Sequence, residues 1–218
     1  PWLSFLKIRG SYGLAGNDQI SGAVRFPYLT LIDNYAASTW GYRYYGITER
    51  LIGADNLKWE VAKKANAGIE ANFFNDKLKI VADVFHDQRD DIFMSRVTLP
   101  SYLGLTNLPF SNVGRMHSFG SDGNIEFSHK INKDIAFTVR SNYTFSQNII
   151  DYFEENKLPY DYLSVTGKPY GIIRGYISEG LFKDREDIET SPDQSAFGRI
   201  RPGDIKYRDV NGDGRINE

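Results

Sequence analysis

Residues 66–85, NAGIEANFFNDKLKIVADVF, alternate apolar and polar side chains with a period of two. Ala67, Ile69, Ala71 and Phe73 fall on one side and Asn66, Gly68, Glu70 and Asn72 on the other; after the turn FNDK the apolar set resumes as Leu78, Ile80, Ala82 and Val84. That period belongs to β-strands. Placing Phe73 opposite Leu78 brings Ala71 to Ile80, Ile69 to Ala82 and Ala67 to Val84, so one hairpin register keeps the apolar rows on a single face, and a slip of one residue would lose it. The plan recurs in residues 123–145, GNIEFSHKINKDIAFTVRSNYTF. Ile125, Phe127, His129 and Ile131 climb to the turn NKD, and Ile135, Phe137, Val139, Tyr143 and Phe145 descend on the same face. A three-residue loop is a common hairpin connection, and this register sets Glu126 against Arg140 and Ser128 against Thr138 on the polar face.

The two hairpins, residues 59–94 and about 113–149, have arms of about 16 residues, roughly 50 Å at about 3.3 Å per residue. Usual strands are far shorter. The remaining connections are long and rich in Gly, Pro, Asn and Tyr: residues 15–56, 97–114 and 152–169. Tight turns therefore gather at one end of the strands and long loops at the other. Strands are expected at 3–13, 24–32, 59–74, 78–94, 115–131, 135–148, 170–182 and 205–208. Two architectures accept this pattern. A soluble β-sandwich uses alternating strands; a closed outer-membrane barrel demands long antiparallel strands, apolar outside and polar inside, with short turns at one rim. In the barrel, odd positions from Ala67 to Phe73 and even positions from Leu78 to Val84 face lipid, while Gly68, Glu70, Lys79, Asp83, Glu126 and Arg140 face the lumen.

Composition agrees with an all-β fold: 14 Tyr, 14 Phe and 20 Gly against two Met, with 41% apolar residues over 218 positions. Aromatic residues favour strands. A formal charge of −2 offers no basic field for nucleic acid. The absence of Cys excludes disulfides and thiolate metal sites. No apolar run is long enough for a spanning helix, and PWLSFLKIRG at the start has no signal-peptide plan. Tyr28, Tyr35, Trp40, Tyr42, Tyr44, Tyr45, Tyr102, Tyr152, Phe153, Tyr160 and Tyr162 crowd the loops. Such aromatics serve as an interfacial girdle, as a surface for sugar rings, or as the loops' own core.

The segment DVNGDGRINE, residues 209–218, follows the first half of a calcium loop. Asp209, Asn211 and Asp213 hold ligand positions one, three and five, Gly214 permits the sharp turn, the carbonyl of Arg215 takes position seven, and Asn217 stands at nine. The twelfth position lies beyond Glu218. The competing reading makes Asn211-Gly212 and Asp213-Gly214 ordinary turn dipeptides. The interrupted motif, with the absence of a starting Met, leads us to expect a piece of a longer chain.

Catalysis finds no candidate. His86, His117 and His129 have no metal-ligand spacing; His129 is expected on the membrane-facing row near the turn, the others as polar strand or loop residues. Asp87, Asp90 and Asp91 in HDQRDDIF are expected to be a solvated rim, since paired acid/base carboxylates must face one cleft. No hydrolase, Walker or dinucleotide fingerprint occurs. The sequon NYT at 142–144 falls in a strand.

Four stretches carry a resemblance: LKIRGSYGLAGND (6–18), LKWEVAKKANAGIEANFFNDKLKIVADVFHDQRDDIF (57–93), NVGRMHSFGSDGNIEF (112–127) and RPGDIKYRDVNGDGRINE (201–218). In order and spacing, across nearly the whole chain, they resemble the SusC/RagA family of TonB-dependent outer-membrane transporters, most specifically in PGDIKYRDVNGDG. The resemblance implies an all-β fold in which residues 1–218 are an antiparallel, long-stranded segment of a 22-stranded transmembrane β-barrel. It implies that residues 183–218 form an extracellular-type loop with the calcium-loop-like segment. It implies a nutrient importer rather than an enzyme, taking glycan or peptide fragments, driven by TonB, partnered by a SusD-like surface lipoprotein and set in the bacterial outer membrane. Neither the TonB-contacting box nor the plug is among these residues. The alternative is a soluble secreted β-domain that binds carbohydrate or calcium.

Overall fold

The structure, a computed structural model, describes residues 2–18, 26–105 and 107–217. They fall into two units, residues 1–170 and 171–218.

The first unit contains seven strands: β1 (Leu3–Asn17), β2 (Leu31–Thr39), β3 (Tyr42–Leu51), β4 (Glu60–Phe73), β5 (Leu78–Ser95), β6 (Phe110–Lys130) and β7 (Ala136–Tyr152). Five of them make one antiparallel sheet in the order β1-β4-β5-β6-β7. β2 and β3 form a separate hairpin inserted in the connection from β1 to β4. Without that insertion the sheet is a plain up-and-down meander. Its tight turns, 74–77 and 131–135, lie at one end, and its long connections at the other.

The registers follow the alternation. Phe73 faces Leu78, Ala71 faces Ile80, Ile69 faces Ala82 and Ala67 faces Val84. Ile131 N–H donates to the Ile135 carbonyl at 2.9 Å, closing the second turn. Glu126 faces Arg140 and Ser128 faces Thr138, with side-chain contacts of 2.7 and 3.0 Å. Pairs of this kind add about 0.2–1 kcal/mol each. Apolar rows cross the sheet: Leu6, Ala71, Ile80 and Ile125 form one rung over β1, β4, β5 and β6, with Ser141 at its β7 end, and Ile8, Ile69, Ala82, Gly123 and Tyr143 form the next over all five strands. This face stays open, with Ile8 76%, Val84 56% and Val139 57% exposed.

Two strand expectations need correction. For 24–32, positions 24 and 25 lie outside the described residues, Leu29 N–H closes a turn onto the Phe26 carbonyl, and the strand begins only at Leu31. It runs on into the unexpected β2–β3 hairpin, whose turn residues Trp40 (φ 55°) and Gly41 (φ 79°) are both left-handed, as a two-residue hairpin turn requires. For 170–182, only β8 (Ser178–Leu181) is a strand, because its partner β9 (Ile205–Tyr207) is three residues long and Gly171 turns the chain at φ 78°.

In the second unit, Phe182 and Ile216 are buried, and Tyr176, Phe197 and Tyr207 pack their rings together at 4.9–5.6 Å. Gln194 is also buried. Its amide acts as a strand partner, donating to the Ile205 carbonyl at 3.0 Å and accepting from Tyr207 N–H at 2.7 Å. A single helical turn, α1 (Arg185–Glu189), starts at Asp184, whose carboxylate accepts from Asp187 N–H at 2.9 Å.

Candidate functional site

The polar face of the five-stranded sheet carries a lattice of charges set by the registers. Arg9 on β1 faces Gly68 on β4, which faces Asp83 on β5, so one rung holds a cation and an anion with only a hydrogen between them. The Arg9 guanidinium donates from Nε to Asp83 Oδ1 at 3.0 Å, again from its terminal nitrogen to Asp83 Oδ2, and to Glu70 Oε1 at 2.5 Å. Gly68 is what admits this. A Cβ there would stand 2.2 Å from Asp83 Oδ1 and 2.6 Å from Arg9 Nε. Lys7 joins Glu70 at 3.5 Å. Farther along, Glu126 receives Lys79 at 3.5 Å and Arg140 at 2.7 Å. The six positions expected to share the polar face, Gly68, Glu70, Lys79, Asp83, Glu126 and Arg140, therefore lie together on it.

At the long-loop end, two neighbouring glutamates clasp different segments. Glu154 is buried; its carboxylate accepts from Thr98 N–H at 3.2 Å, from the Thr98 hydroxyl and from Arg96. Burial raises its pKa, but these donors outweigh it, and the group is held below the ordinary carboxylate value. Glu155 accepts from the Ser164 hydroxyl at 2.5 Å, Val165 N–H at 3.0 Å and Thr166 N–H at 3.2 Å. Here too burial pushes upward and the donors prevail, lowering the pKa to about 2. The Glu154 clasp was not visible in the sequence, because Thr98 stands 56 residues from Glu154.

The histidines divide. His129 lies on the apolar face with its ring against Phe127 and Phe137, at 6.4 and 5.9 Å. His86 and His117 are brought together at the opposite end, stacked at 5.8 Å, with His117 Nδ1 2.7 Å from Asp151 Oδ1. Asp87 pairs with Lys64 at 3.6 Å and Asp90 with Lys63 at 2.8 Å, while Asp91 occupies a bulge at φ 58°. Lys64 and Lys63 are successive strand residues and point to opposite faces, so Asp87 and Asp90 do not share a cleft. Among the described residues, no group of three or more His, Asp or Glu side chains is arranged to hold a metal ion.

In the terminal segment the side-chain oxygens turn inward onto the backbone. Asp209 accepts from Gly212 N–H and Gly214 N–H, both at 2.7 Å, Asn211 accepts from Asp213 N–H at 3.1 Å, and Asp213 accepts from Arg215 N–H at 2.8 Å. Gly212 (φ 76°) and Gly214 (φ 79°) make the curl sterically free. Asp193 anchors it, donating its N–H to the Gly214 carbonyl and accepting from Ile216 N–H, each at 2.8 Å. The backbone N–H of Ser195, with a lesser hydroxyl contribution, holds the Asp193 carboxyl below its usual value.

Comparison with known proteins agrees with this architecture. The family described as "TonB dependent receptor-like, beta-barrel" matches residues 1–201. The chain is 25% identical to TonB-dependent receptor P3 of Formosa agariphila over 97% of its own length and 22% of the relative's. It is 28% identical to TonB-dependent receptor SusC of Bacteroides thetaiotaomicron over 68% of its length and 15% of that protein. It thus spans 15–22% of the curated relatives it matches. Its fold is similar to the RagAB peptide importer in the open-open state (TM-score 0.57, 24% identity, 73% of this chain and 17% of that one). It is also similar to the closed-closed state (TM-score 0.61, 20% identity, 100% and 24%). The likeness in structure is one of fold, and the match over residues 1–201 decides the relationship: the chain belongs to the TonB-dependent receptor β-barrel family.

Proposed function

We propose that this chain is part of the wall of an outer-membrane nutrient importer, with its apolar face against lipid and its polar face toward an aqueous bore. The observation that carries the reading is the single-layer sheet itself. Its apolar rungs are exposed across five strands while the opposite face gathers Lys7, Arg9, Glu70, Asp83, Lys79, Glu126 and Arg140 into ion pairs. A soluble sandwich would cover those rungs with a second sheet. On β6 the apolar row from Phe119 to His129 is roughly 33 Å along the strand. Tilted by about 40°, that gives about 25 Å, the height of a barrel's apolar band.

Uptake by this wall is powered by TonB and assisted by a SusD-like lipoprotein at the long-loop end, and its cargo is an oligomeric nutrient, glycan or peptide. The names of the similar proteins, TonB-dependent receptors and a peptide importer, support this reading. Residues 183–218 serve as an extracellular loop region, in which Asp209, Asn211, Asp213 and the Arg215 carbonyl are half of a calcium site. Calorimetric titration of the longer protein tests that site; no heat at millimolar calcium removes it.

Spin labels test the facing. In the full-length protein, labels at Ile69 and Ile80 are expected to be accessible to an apolar quencher and a label at Glu70 inaccessible; the reverse pattern overturns the wall assignment. Uptake of labelled oligosaccharides and peptides by cells with and without the gene separates the two cargo classes.

A further inference from the structure

The sequence contains a single Asn-Gly step, Asn211-Gly212, and it lies in the curl of the terminal segment. Asparagine before glycine is prone to react with its own backbone: the nitrogen of the following residue attacks the side-chain carbonyl carbon, ammonia leaves, and water opens the resulting succinimide to aspartate or isoaspartate. Glycine favours the attack because it has no side chain to obstruct it. Packing offers no protection here. Gly212 is exposed, and nothing beyond its chain neighbours lies within 4 Å of where its Cβ would stand.

Hydrogen bonds restrain both reacting groups instead. Gly212 N–H donates to Asp209 Oδ1 at 2.7 Å. The nitrogen must shed that proton to attack, and the anion so formed would face a carboxylate across the same short distance, a like-charge contact that disfavours it. Asp209 Oδ2 accepts from Gly214 N–H at 2.7 Å, so the one carboxylate is fixed from two sides. The carbon under attack is held as well. Asn211 Oδ1 accepts from Asp213 N–H at 3.1 Å, and Asn211 Nδ2 donates to Asp213 Oδ2 at 3.2 Å. Ring closure turns the side chain out of its staggered position and breaks both contacts.

We propose that Asn211 is a guarded deamidation site, in which the Asp209 carboxylate restrains the Gly212 nitrogen and the reaction proceeds only in chains whose terminal curl has opened. In the step itself a bond forms between Gly212 N and Asn211 Cγ, and the bond from Cγ to Nδ2 breaks. The Gly212 proton passes through water to the departing nitrogen, which leaves as ammonia; a second water then adds to one of the two ring carbonyls. Nothing is oxidised or reduced. Both products weaken the curl. A carboxylate at 211 faces Asp213 Oδ2 in place of the amide that donated to it, and isoaspartate reroutes the main chain through the side-chain carbon, carrying Gly212 N–H away from Asp209. Deamidation thus leaves a one-way mark on chains in which this segment has come away from Asp193.

The test ages the full-length protein at neutral pH, folded and in guanidinium chloride, with a chelator present so that no cation holds the curl. Peptide mass spectrometry follows the amide-to-acid mass gain at residue 211 and recognises isoaspartate by its own backbone fragments. Folded wild type is expected to convert about tenfold more slowly than unfolded, the factor that one hydrogen bond to a charged group supplies. Folded Asp209→Ala should approach the unfolded rate, and in guanidinium chloride the two chains should convert alike. Lys206→Gln, which removes the ion pair to Asp187 at 2.8 Å elsewhere in the same unit, should keep the wild-type rate. Folded wild type converting as fast as unfolded, or folded Asp209→Ala as slowly as folded wild type, overturns the proposal. Unequal rates of the two chains in guanidinium chloride overturn it too, since the effect would then not come from the fold. Acceleration by Lys206→Gln equal to that by Asp209→Ala also overturns it, by making general loosening of the unit the cause.

Discussion

The guanidinium of Arg9 reaches Asp83 over the backbone of Gly68, crossing an intervening strand to do so. Three strands are stapled by one side chain, and the staple exists because the middle position has no Cβ. Replacing Gly68 with Ala is expected to destabilise the full-length barrel by about 1–3 kcal/mol, the usual cost of forcing an added methyl into a filled space. The check is the midpoint of urea unfolding. Gly13→Ala is the control, since nothing lies within 4 Å of a Cβ there.

Glu154 joins the segment after β7 to the loop between β5 and β6 through Thr98 and Arg96. Glu154→Gln weakens charge-assisted bonds to a buried acceptor, which are worth about 1.5–3 kcal/mol. The expected result is a local one: faster hydrogen exchange at Thr98 N–H, with strands β5 and β6 protected as before.

Acid acts on a different segment through Glu155. The Glu155 carboxyl is lowered from 4.5 to about 2, so its contribution is complete above the ordinary value and is lost as the pH falls from there toward about 2. Amide exchange at Val165 and Thr166, corrected for intrinsic rates, is expected to stay slow down to about pH 4 and to rise below it. Glu155→Gln should remove that dependence and leave both amides less protected at neutral pH.

Asp209 supplies both oxygens to the curl of the terminal segment. Asp209→Ala orphans two N–H groups and is expected to cost about 1–2 kcal/mol locally. Limited proteolysis reads this as earlier cleavage near Gly212. Asp209→Asn, which keeps one acceptor, should fall between variant and wild type.

Some of this was legible in the residues and some was not, for physical reasons. Ile69 and Ile80 declared their common face because a period of two has a single register consistent with the turn FNDK. The β2–β3 hairpin hid itself. Its first turn residue is Trp40, held at φ 55° where Asn or Asp is the usual signal, and Tyr44 and Tyr45 put aromatic rings on both faces of β3. Residues 170–177, expected as the start of a strand, form none, since an apolar stretch says nothing of whether a partner strand exists. The Glu154 clasp and the pairing of His86 with His117 depend on contacts between distant segments that no local pattern encodes, and the Glu155 clasp depends on a loop turning back over 9–11 residues with no periodic signal.

The meander has one further consequence. Each tight turn closes a hairpin whose two arms carry a complete strip of both surfaces, and β1 and β7 each keep one ladder unpaired at the margins of the described sheet. A wall made of such strips gains or loses girth by whole hairpins without altering the chemistry of the rest. Girth can then change through duplication of a unit, while the strips already in place need no redesign.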